Sequence, residues 1–338
     1  MSFFSKFKRR TQRPKDSSSS TFSAESSSEH TPSLISSPAT SFLPVPPHLD
    51  TPTCKVYVKY DVATPPPRPI GNNWTRFVCI SDTYGEIFDV PSGDVLLHAG
   101  DLTSSGRLME FKKTADWLCS LDHPLKILIA GNHDSSLHRA FYDKHYDRFV
   151  NSEAEKEDHD ILMSILNGPR ARQAGIVYLE SSSHSFKVRD TGRIWRVFGF
   201  PWVLDDWGTN HAFGYLPGPI AETYVSTIPP TDILLTHGPP NGIMDETTRN
   251  GLSGLHVGCL TLLEHMKRIR PFLHIFGQVY EGHGAEVRMH DPEGIIETLE
   301  INATSIPTGG LQNFDHSSTE MPPGPLPPII IDIYDVEE

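Results

Sequence analysis

Five apolar segments of this sequence each end in a polar loop, and this repetition limits the possible folds more than any other feature. In chain order, the loops carry Asp82, Asp101, Asn132, His237 and Gln278. A stretch with the spacing of an amphipathic helix lies between the second and third segments. Strands that alternate with helices and end in polar loops are typical of a mostly parallel sheet, whose ligands bind at the carboxyl ends of the strands. The pattern therefore predicts an α/β fold with ligand-binding loops at one edge.

The first fifty residues differ in composition from the rest of the chain. They include the stretch "DSSSSTFSAESSSEHTPSLISSPATSFLPVPP", which is too rich in Ser, Thr and Pro to offset the entropy of ordering. We therefore predict a disordered Ser/Pro-rich tail over residues 1–51 and a single domain over residues 52–338. The basic stretch "KFKRRTQRPK" is interpreted as a solvated tail, with a membrane-surface or targeting patch as the alternative.

Charge and cysteine content exclude several classes of protein. The net charge of -13 argues against nonspecific nucleic-acid binding. No apolar region follows the N-terminal charges as in a secretory signal, and no apolar run is long enough for a transmembrane helix. The four cysteines lie far apart and form no CxxC pair, which argues against a zinc ribbon or a disulfide scaffold. We expect an intracellular, cytoplasmic protein.

Carboxylate, amide and imidazole groups at converging strand ends suit divalent metal ions. Two such ions about 3.5–4 Å apart can clamp a phosphoester and share a hydroxide nucleophile. The pair needs one bridging carboxylate, with oxygen and nitrogen ligands on each side. A single Asp after a strand is more often a turn or helix cap. The interpretation as a metal site therefore depends on the convergence of all five loops.

The ordered motifs resemble those of the calcineurin-like metallophosphoesterases, whose pattern is DxH, GD, GNHD or GNHE, a lone His, and GHxH. The corresponding blocks here read "SDTYG", "HAGDLT", "IAGNHD", "LLTHGPP" and "FGQVYEGHG". Together with "INA" and "PPIIIDI", they look like small eukaryotic metallophosphoesterase-domain proteins, particularly a fungal branch. The resemblance runs from about residue 54 to the C-terminus. It implies a four-layer α/β/β/α sandwich that hydrolyses phosphomonoesters or phosphodiesters with two divalent ions, drawn from Mn²⁺, Mg²⁺, Fe and Zn.

The same resemblance implies roles for individual residues. Asp101 would bridge the two ions, Asp82 would bind the first, and Asn132 and His237 would bind the second. His98 lies within an apolar strand, where period two places it away from Asp101, so we interpret it as a hydrogen-bonded core residue and not as a ligand.

Two further residues of the "GNHD" block would act in catalysis. By the resemblance, His133 would lie near the leaving oxygen as an acid or charge stabiliser. Asp134 would orient the His133 ring.

Three imidazoles of the family pattern are absent. Tyr84 stands at the histidine of DxH, and Gln278 and Tyr280 stand at the two histidines of GHxH. A phenol titrates near about 10, so neither tyrosine should bind Mg²⁺ strongly. A glutamine amide oxygen suits Mn²⁺, Mg²⁺ or Ca²⁺ better than Zn²⁺. Because loss of outer partners alone costs about 10–100-fold in metal affinity or activity, we expect a weak or empty first site.

Two functional interpretations stay open. One is a weakened phosphoesterase, and the other is a catalytically impaired protein that acts in binding or regulation, with one ion or a nucleotide held at the remaining residues. We hypothesise that Tyr84 and Tyr280 fill the first-metal position and donate hydrogen bonds to Asp82. His283 could replace a lost ligand, although a loop histidine is more often solvated.

Two loops are predicted to border the substrate pocket, Trp202–Gly218 and Asn241–Gly258. Both are rich in Gly, His and aromatic residues. Aromatic rings there could stack a nucleotide base, although loop aromatics more often pack inward.

Overall fold

Two facing β-sheets form the centre of the structure. The structure is a computed structural model, and it describes residues 42–44, 48–205, 208–247, 254–289, 297–306 and 324–335. The strands are β1 (Phe42–Pro44), β2 (His48–Asp50), β3 (Cys54–Tyr57), β4 (Trp74–Ile80), β5 (Val95–His98), β6 (Leu125–Leu128), β7 (Ile176–Tyr178), β8 (Ser182–Phe186), β9 (Trp195–Phe200), β10 (Val203–Leu204), β11 (Gly214–Tyr215), β12 (Ile233–Thr236), β13 (Glu246–Thr247), β14 (Leu255–His256), β15 (Leu273–Phe276), β16 (Gly284–Met289), β17 (Glu297–Asn302) and β18 (Ile329–Tyr334). The α-helices are α1 (Leu108–Ser120), α2 (Arg139–His145), α3 (His159–Asn167), α4 (Pro169–Gln173), α5 (Pro219–Val225) and α6 (Leu260–Ile269).

Each large sheet has a parallel centre. The first has the order β2-β3-β18-β4-β5-β6-β7, with β4 to β7 parallel. The second has the order β1-β16-β17-β15-β12-β9-β8, with β17, β15, β12 and β9 parallel. Each sheet packs against helices on one face and against the other sheet on the opposite face, which explains why the parallel strands are apolar along most of their length.

The apolar side chains fall into three clusters that separate four layers. Phe77 and Trp195 pack edge to face in the cluster between the two sheets. Leu96 and Phe111 belong to the cluster between the first sheet and α1 to α4. Leu234 belongs to the cluster that joins the second sheet to α5 and α6. This arrangement confirms the predicted α/β/β/α sandwich.

Backbone contacts join the strand ends at the edge where the polar loops lie. Ser81, after β4, forms a parallel bridge with Thr304, after β17, and so connects the two sheets. The amide of Asp82 donates to the carbonyl of Gly100, and the amide of Gly277 donates to the carbonyl of His237. The loops therefore converge because both sheets present carboxyl ends of parallel strands at one edge.

Part of the predicted tail takes up strand structure. Strand β1 pairs with β16, and β2 pairs with β3, although both lie before residue 52. Residues 1–41 and 45–47 of the predicted tail lie outside the described residues. The limits of the tail and of the domain stay predictions. Among the described residues, no helix has the length and apolar character needed to cross a membrane.

A buried ion pair attaches the C-terminal strand β18 to β4. Arg76 and Asp332 face each other in register, and Nε and Nη2 of Arg76 donate to the two Asp332 oxygens at 2.7 Å. Both side chains are buried. Removal of one partner from such a pair leaves an uncompensated charge, which is strongly destabilising.

We expect Asp332→Ala to lower the free energy of unfolding by about 3–5 kcal/mol, measured by urea denaturation. The control Glu264→Ala removes the exposed partner of Lys267, 2.6 Å away, and should cost less than about 1 kcal/mol. Equal losses in the two variants would contradict the assigned importance of the buried pair.

Candidate metal centre

Four residues around the polar loops have left-handed backbone conformations that are uncommon outside glycine. The φ angles are 53° at Asp82, 49° at Tyr84, 53° at Asp101 and 70° at Gln278. Such conformations cost of order 1–3 kcal/mol each and persist only where surrounding contacts enforce them. Strained residues of this kind cluster at functional sites, so the backbone itself marks this edge of the sheets.

Asp101 and His237 form the centre of the site. Nε2 of His237 lies 3.4 Å from Oδ2 of Asp101 and 3.1 Å from Oδ1 of Asn132. Nδ1 of the same ring lies 2.8 Å from the carbonyl oxygen of Ala99. A carbonyl oxygen can only accept, so Nδ1 carries a proton and Nε2 is the ring nitrogen that can bind a metal.

These side chains fit a divalent cation. Asp82, Asp101 and His237 each offer one ligand atom, and the three atoms lie within 4.8 Å of one another. All three side chains are buried. Buried carboxylates are stable only when paired or bound to metal, and mixed oxygen and nitrogen donors suit Mn²⁺, Fe or Zn²⁺. The structure therefore brings together Asp82, Asp101, Asn132 and His237, the predicted ligands.

Electrostatics couple the two central residues. Burial opposes ionisation of Asp101, but the neighbouring His237 and His133 hold the pKa of its carboxyl well below its usual range. Burial likewise opposes protonation of His237, yet Asp101 and Asp82 raise its pKa to about 10. The protein without a cation thus favours an imidazolium beside a carboxylate. A metal ion at Nε2 takes the place of that proton, so metal binding should release it.

The carboxylate of Asp82 already accepts several hydrogen bonds. Oδ2 accepts from Oγ of Ser81 at 2.6 Å, from the amide of Gln278 at 2.9 Å and from Oγ1 of Thr304 at 3.3 Å. Oδ1 accepts from the hydroxyl of Tyr84 at 3.1 Å. Four donors therefore compensate the buried Asp82, and the phenol of Tyr84 contacts it as we hypothesised. Sequence reasoning missed Ser81 and Thr304, although Ser81 begins the quoted block "SDTYG" and Thr304 directly follows "INA".

The other two substituted positions behave differently. Gln278 reaches Asp82 through its backbone amide. The hydroxyl of Tyr280 is buried and has no hydrogen-bond partner among the described residues. Burial raises the pKa of Tyr280, which keeps it a neutral phenol. The hypothesis of two tyrosines on Asp82 is therefore wrong for Tyr280, because its hydroxyl makes no such bond.

His133 lies beside the centre, but Asp134 does not contact its ring. The amide of His133 donates to Oδ1 of Asp101 at 2.8 Å, and Nδ1 lies 2.8 Å from the carbonyl oxygen of Ser104. The Asp134 carboxylate instead accepts from the amides of Gly131, Leu102 and Thr103 and from the Thr103 hydroxyl. The predicted contact is replaced by an indirect one, because Asp134 fixes the loop whose next residue, Ser104, holds the imidazole.

Two other histidines near the loops make hydrogen bonds of their own. Nε2 of His98 lies 3.0 Å from the hydroxyl of Thr83, and both residues are buried, as expected for a core histidine. Nδ1 of His283 donates to the carbonyl of Thr304 at 2.9 Å, and its Nε2 is buried without a partner among the described residues. The His283 ring is thus neither solvated nor in the group of candidate ligands.

Two described aromatic residues of the first predicted pocket loop, Trp202 and Phe213, pack against the protein. Phe213 is buried in the helical layer, and Trp202 packs edge to face on it and against Tyr224. These contacts leave the rings engaged with the protein, as loop aromatics usually are. Residues 206–207 and 248–253 of the two predicted loops lie outside the described residues.

Comparison with known proteins supports the class that the fold and site define. The chain belongs to the calcineurin-like phosphoesterase family, because the family profile matches residues 75–257. The family implies phosphate-ester substrates and divalent metal ions.

This chain matches less than two thirds of the length of its curated relatives. Human metallophosphoesterase domain-containing protein 1 is 36% identical over 229 residues, which is 64% of each chain. A protein of Emericella nidulans named probable rhamnogalacturonate lyase C is 34% identical over 64% of this chain and 18% of its own. Among solved structures, the phosphopantetheinyl hydrolase of Mycobacterium tuberculosis has a TM-score of 0.41 at 14% identity, over 67% of this chain and 89% of that one.

The half-buried His283, whose Nε2 atom is fully buried, should make stability depend on pH. Burial lowers its pKa to about 4, below the ordinary value of about 6.5, so between these values the unfolded chain binds a proton that the folded chain does not. The free energy of unfolding should therefore fall as the pH drops through this window. We expect His283→Gln to flatten that slope by up to about 1.4 kcal/mol per pH unit.

Urea denaturation of the unaltered protein and of His283→Gln checks this prediction. The free energy of unfolding is measured at several pH values between about 4 and 8. Above about pH 7 the two curves should run parallel, since the imidazole is then neutral in both states. Identical slopes below that pH would contradict the assignment.

Proposed function

We propose that this protein hydrolyses phosphate monoesters or diesters with one firmly held divalent ion, more weakly than a two-metal enzyme. One observation supports this most directly. Oδ2 of Asp101 and Oδ1 of Asn132 both lie within 3.4 Å of Nε2 of His237, whereas the carboxylate of Asp82 already accepts hydrogen bonds that include one from the Tyr84 phenol. At the first-metal position, neutral hydrogen-bond donors thus take the place of an ion beside Asp82.

Residues of this chain would divide the chemistry as follows. A divalent ion on Asp101, Asn132 and His237 would polarise the phosphoryl group and acidify a bound water. His133 has its Nδ1 proton fixed on the Ser104 carbonyl, which leaves Nε2 to hold a proton for the leaving oxygen. The Tyr84 ring packs edge to face on His133, with centroids 5.0 Å apart, and restrains that imidazole.

The Tyr280 hydroxyl is our candidate for a substrate contact. A buried hydroxyl without a partner costs roughly 1–3 kcal/mol, and a phosphoryl oxygen is an acceptor that would satisfy it. Its neutral state suits a donor better than a metal ligand.

The alternative is a catalytically impaired protein that binds one ion or a nucleotide in a regulatory role. The compensated Asp82 favours it, since the site is stable without a first ion. The inward packing of Trp202 and Phe213 speaks against base stacking on these rings. An intracellular, cytoplasmic location is part of our proposal, because the four cysteines are all free.

We expect purified protein loaded with Mn²⁺ to hold about one ion per chain and to hydrolyse bis(p-nitrophenyl) phosphate slowly. Asp101→Ala should lose both the ion and the turnover. The triple variant Tyr84→His, Gln278→His and Tyr280→His should hold about two ions and turn over at least about tenfold faster. Plasma mass spectrometry measures the metal and release of p-nitrophenol measures the rate.

The single variant Tyr84→Phe is the control, because it removes the phenol donor without adding a ligand and should leave the metal content unchanged. About two ions in the unaltered protein would contradict the one-ion centre. One ion with no turnover would instead support the binding protein.

A further inference from the structure

A buried row of polar side chains crosses the outer face of the second sheet and ends beside the candidate metal ligand. Thr236, His274, Glu300 and Arg288 come from the neighbouring strands β12, β15, β17 and β16, and all four are fully buried. His274 and Glu300 are directly paired in register, and Thr236 lies two residues beyond the partner of His274, so the row shares one face.

The contacts along the row are short. Nε2 of His274 lies 2.9 Å from the Thr236 hydroxyl, and Nδ1 lies 2.6 Å from Oε2 of Glu300. Oε1 of Glu300 lies 2.7 Å from Nη2 of Arg288. The Thr236 hydroxyl donates its one proton to the carbonyl of Gly238, so its oxygen accepts from Nε2 of His274. Burial lowers the pKa of His274, and the contact with Glu300 opposes that shift. Hydrogen bonds thus join Thr236, His274 and Glu300, and an ion contact adds Arg288 to the row.

The end of the row reaches the peptide that carries the candidate ligand. The Thr236 hydroxyl also lies 2.7 Å from the carbonyl oxygen of Gly238, and His237 stands between these two residues. The carbonyl of His237 accepts from the amide of Gly277 at 3.0 Å. Thr236 therefore restrains the backbone on both sides of the imidazole.

Stability alone does not account for such a row. Replacement of a buried ion pair by apolar residues often leaves the stability of a protein unchanged or raises it, because the desolvation of two charges costs free energy. The neighbouring part of the same face, around Leu234, is apolar and packs on α6 in that way. Polar groups that orient a metal-binding imidazole, by contrast, are typically needed for affinity.

We propose that Thr236, His274, Glu300 and Arg288 are positioning residues that hold His237 in its metal-binding orientation. The expected effect on metal affinity rests on the proposed one-ion centre. The restraint on the His237 peptide is present in the protein without metal. The hydroxyl of Thr236 is the contact nearest the ligand, and His274 transmits the restraint from the ion pair.

The test compares Thr236→Val with Thr75→Val. Thr75 is a matched control, since it is fully buried on β4 of the first sheet, and its hydroxyl donates to Oδ2 of Asp335 at 2.7 Å, away from the row. We expect Thr236→Val to weaken Mn²⁺ binding at least about tenfold by calorimetry and Thr75→Val to change it less than about twofold. Thr236→Ser, which keeps the hydroxyl, should restore the affinity.

A second variant tests the inner part of the row. His274→Leu removes the ring nitrogens but leaves the contact between Glu300 and Arg288 in place, and it should also weaken Mn²⁺ binding at least about tenfold. Unchanged affinity in His274→Leu would overturn the row as a unit. Equal weakening in Thr75→Val would reduce the effect to general destabilisation and would also overturn the inference.

Amide hydrogen exchange of the metal-free protein separates this inference from the proposed function. In Thr236→Val, the Gly277 amide, which donates to His237, should exchange at least about tenfold faster, with no change in Thr75→Val. Absence of Mn²⁺ binding by the unaltered protein would refute the one-ion centre alone. Unchanged exchange at Gly277 would refute the restraint whatever the metal result.

Discussion

The contact between Asp101 and His237 joins the two sheets and lies at the centre of the candidate metal site. Asp101 follows β5 in one sheet, and His237 follows β12 in the other, with its Nδ1 on the carbonyl of Ala99. The left-handed backbone at Asp101 turns the carboxylate towards the partner sheet. The strain of that turn is tolerated because the two sheets are held together by a large apolar interface. Packing and site geometry therefore depend on the same few bonds.

The first-metal position shows how a metal motif can change without loss of the fold. A buried carboxylate needs compensation, which an ion or a set of hydrogen-bond donors can supply. For Asp82, hydrogen-bond donors supply this compensation, and they come from Ser81, Gln278, Thr304 and Tyr84. Burial raises the pKa of Asp82, and the hydrogen bonds from Ser81 and Gln278 oppose that shift by stabilising the carboxylate. A tyrosine at the DxH position is thus part of a stable arrangement, whatever activity remains.

Much of the fold and the proximity of the candidate ligands could be predicted because both follow from the order of apolar segments and polar ends. Asp82, Asp101, Asn132 and His237 come together as expected, since parallel strands present their carboxyl ends at one edge. The target of Asp134 could not be predicted, because proximity along the chain does not say which loop a carboxylate will hold.

Other features depend on long-range pairing that one sequence does not reveal. The strands β1 and β2 lie in a Ser- and Pro-rich region and form by pairing with the sheet edges, where partners override local composition. The hydroxyl of Tyr280 likewise lacks a hydrogen bond among the described residues because of the direction that its side chain takes after β15.

The row from Thr236 to Arg288 was invisible in the sequence for a related reason. His274 and Glu300 occur in strands that otherwise read as apolar, so each residue alone suggests an exposed position. Only the sheet order places them side by side, fully buried and next to His237. In a two-metal site, several imidazoles share the task of orienting the substrate. A centre that depends on one imidazole tolerates less error in its placement, and a buried charged row is a rigid way to supply that accuracy despite its desolvation cost.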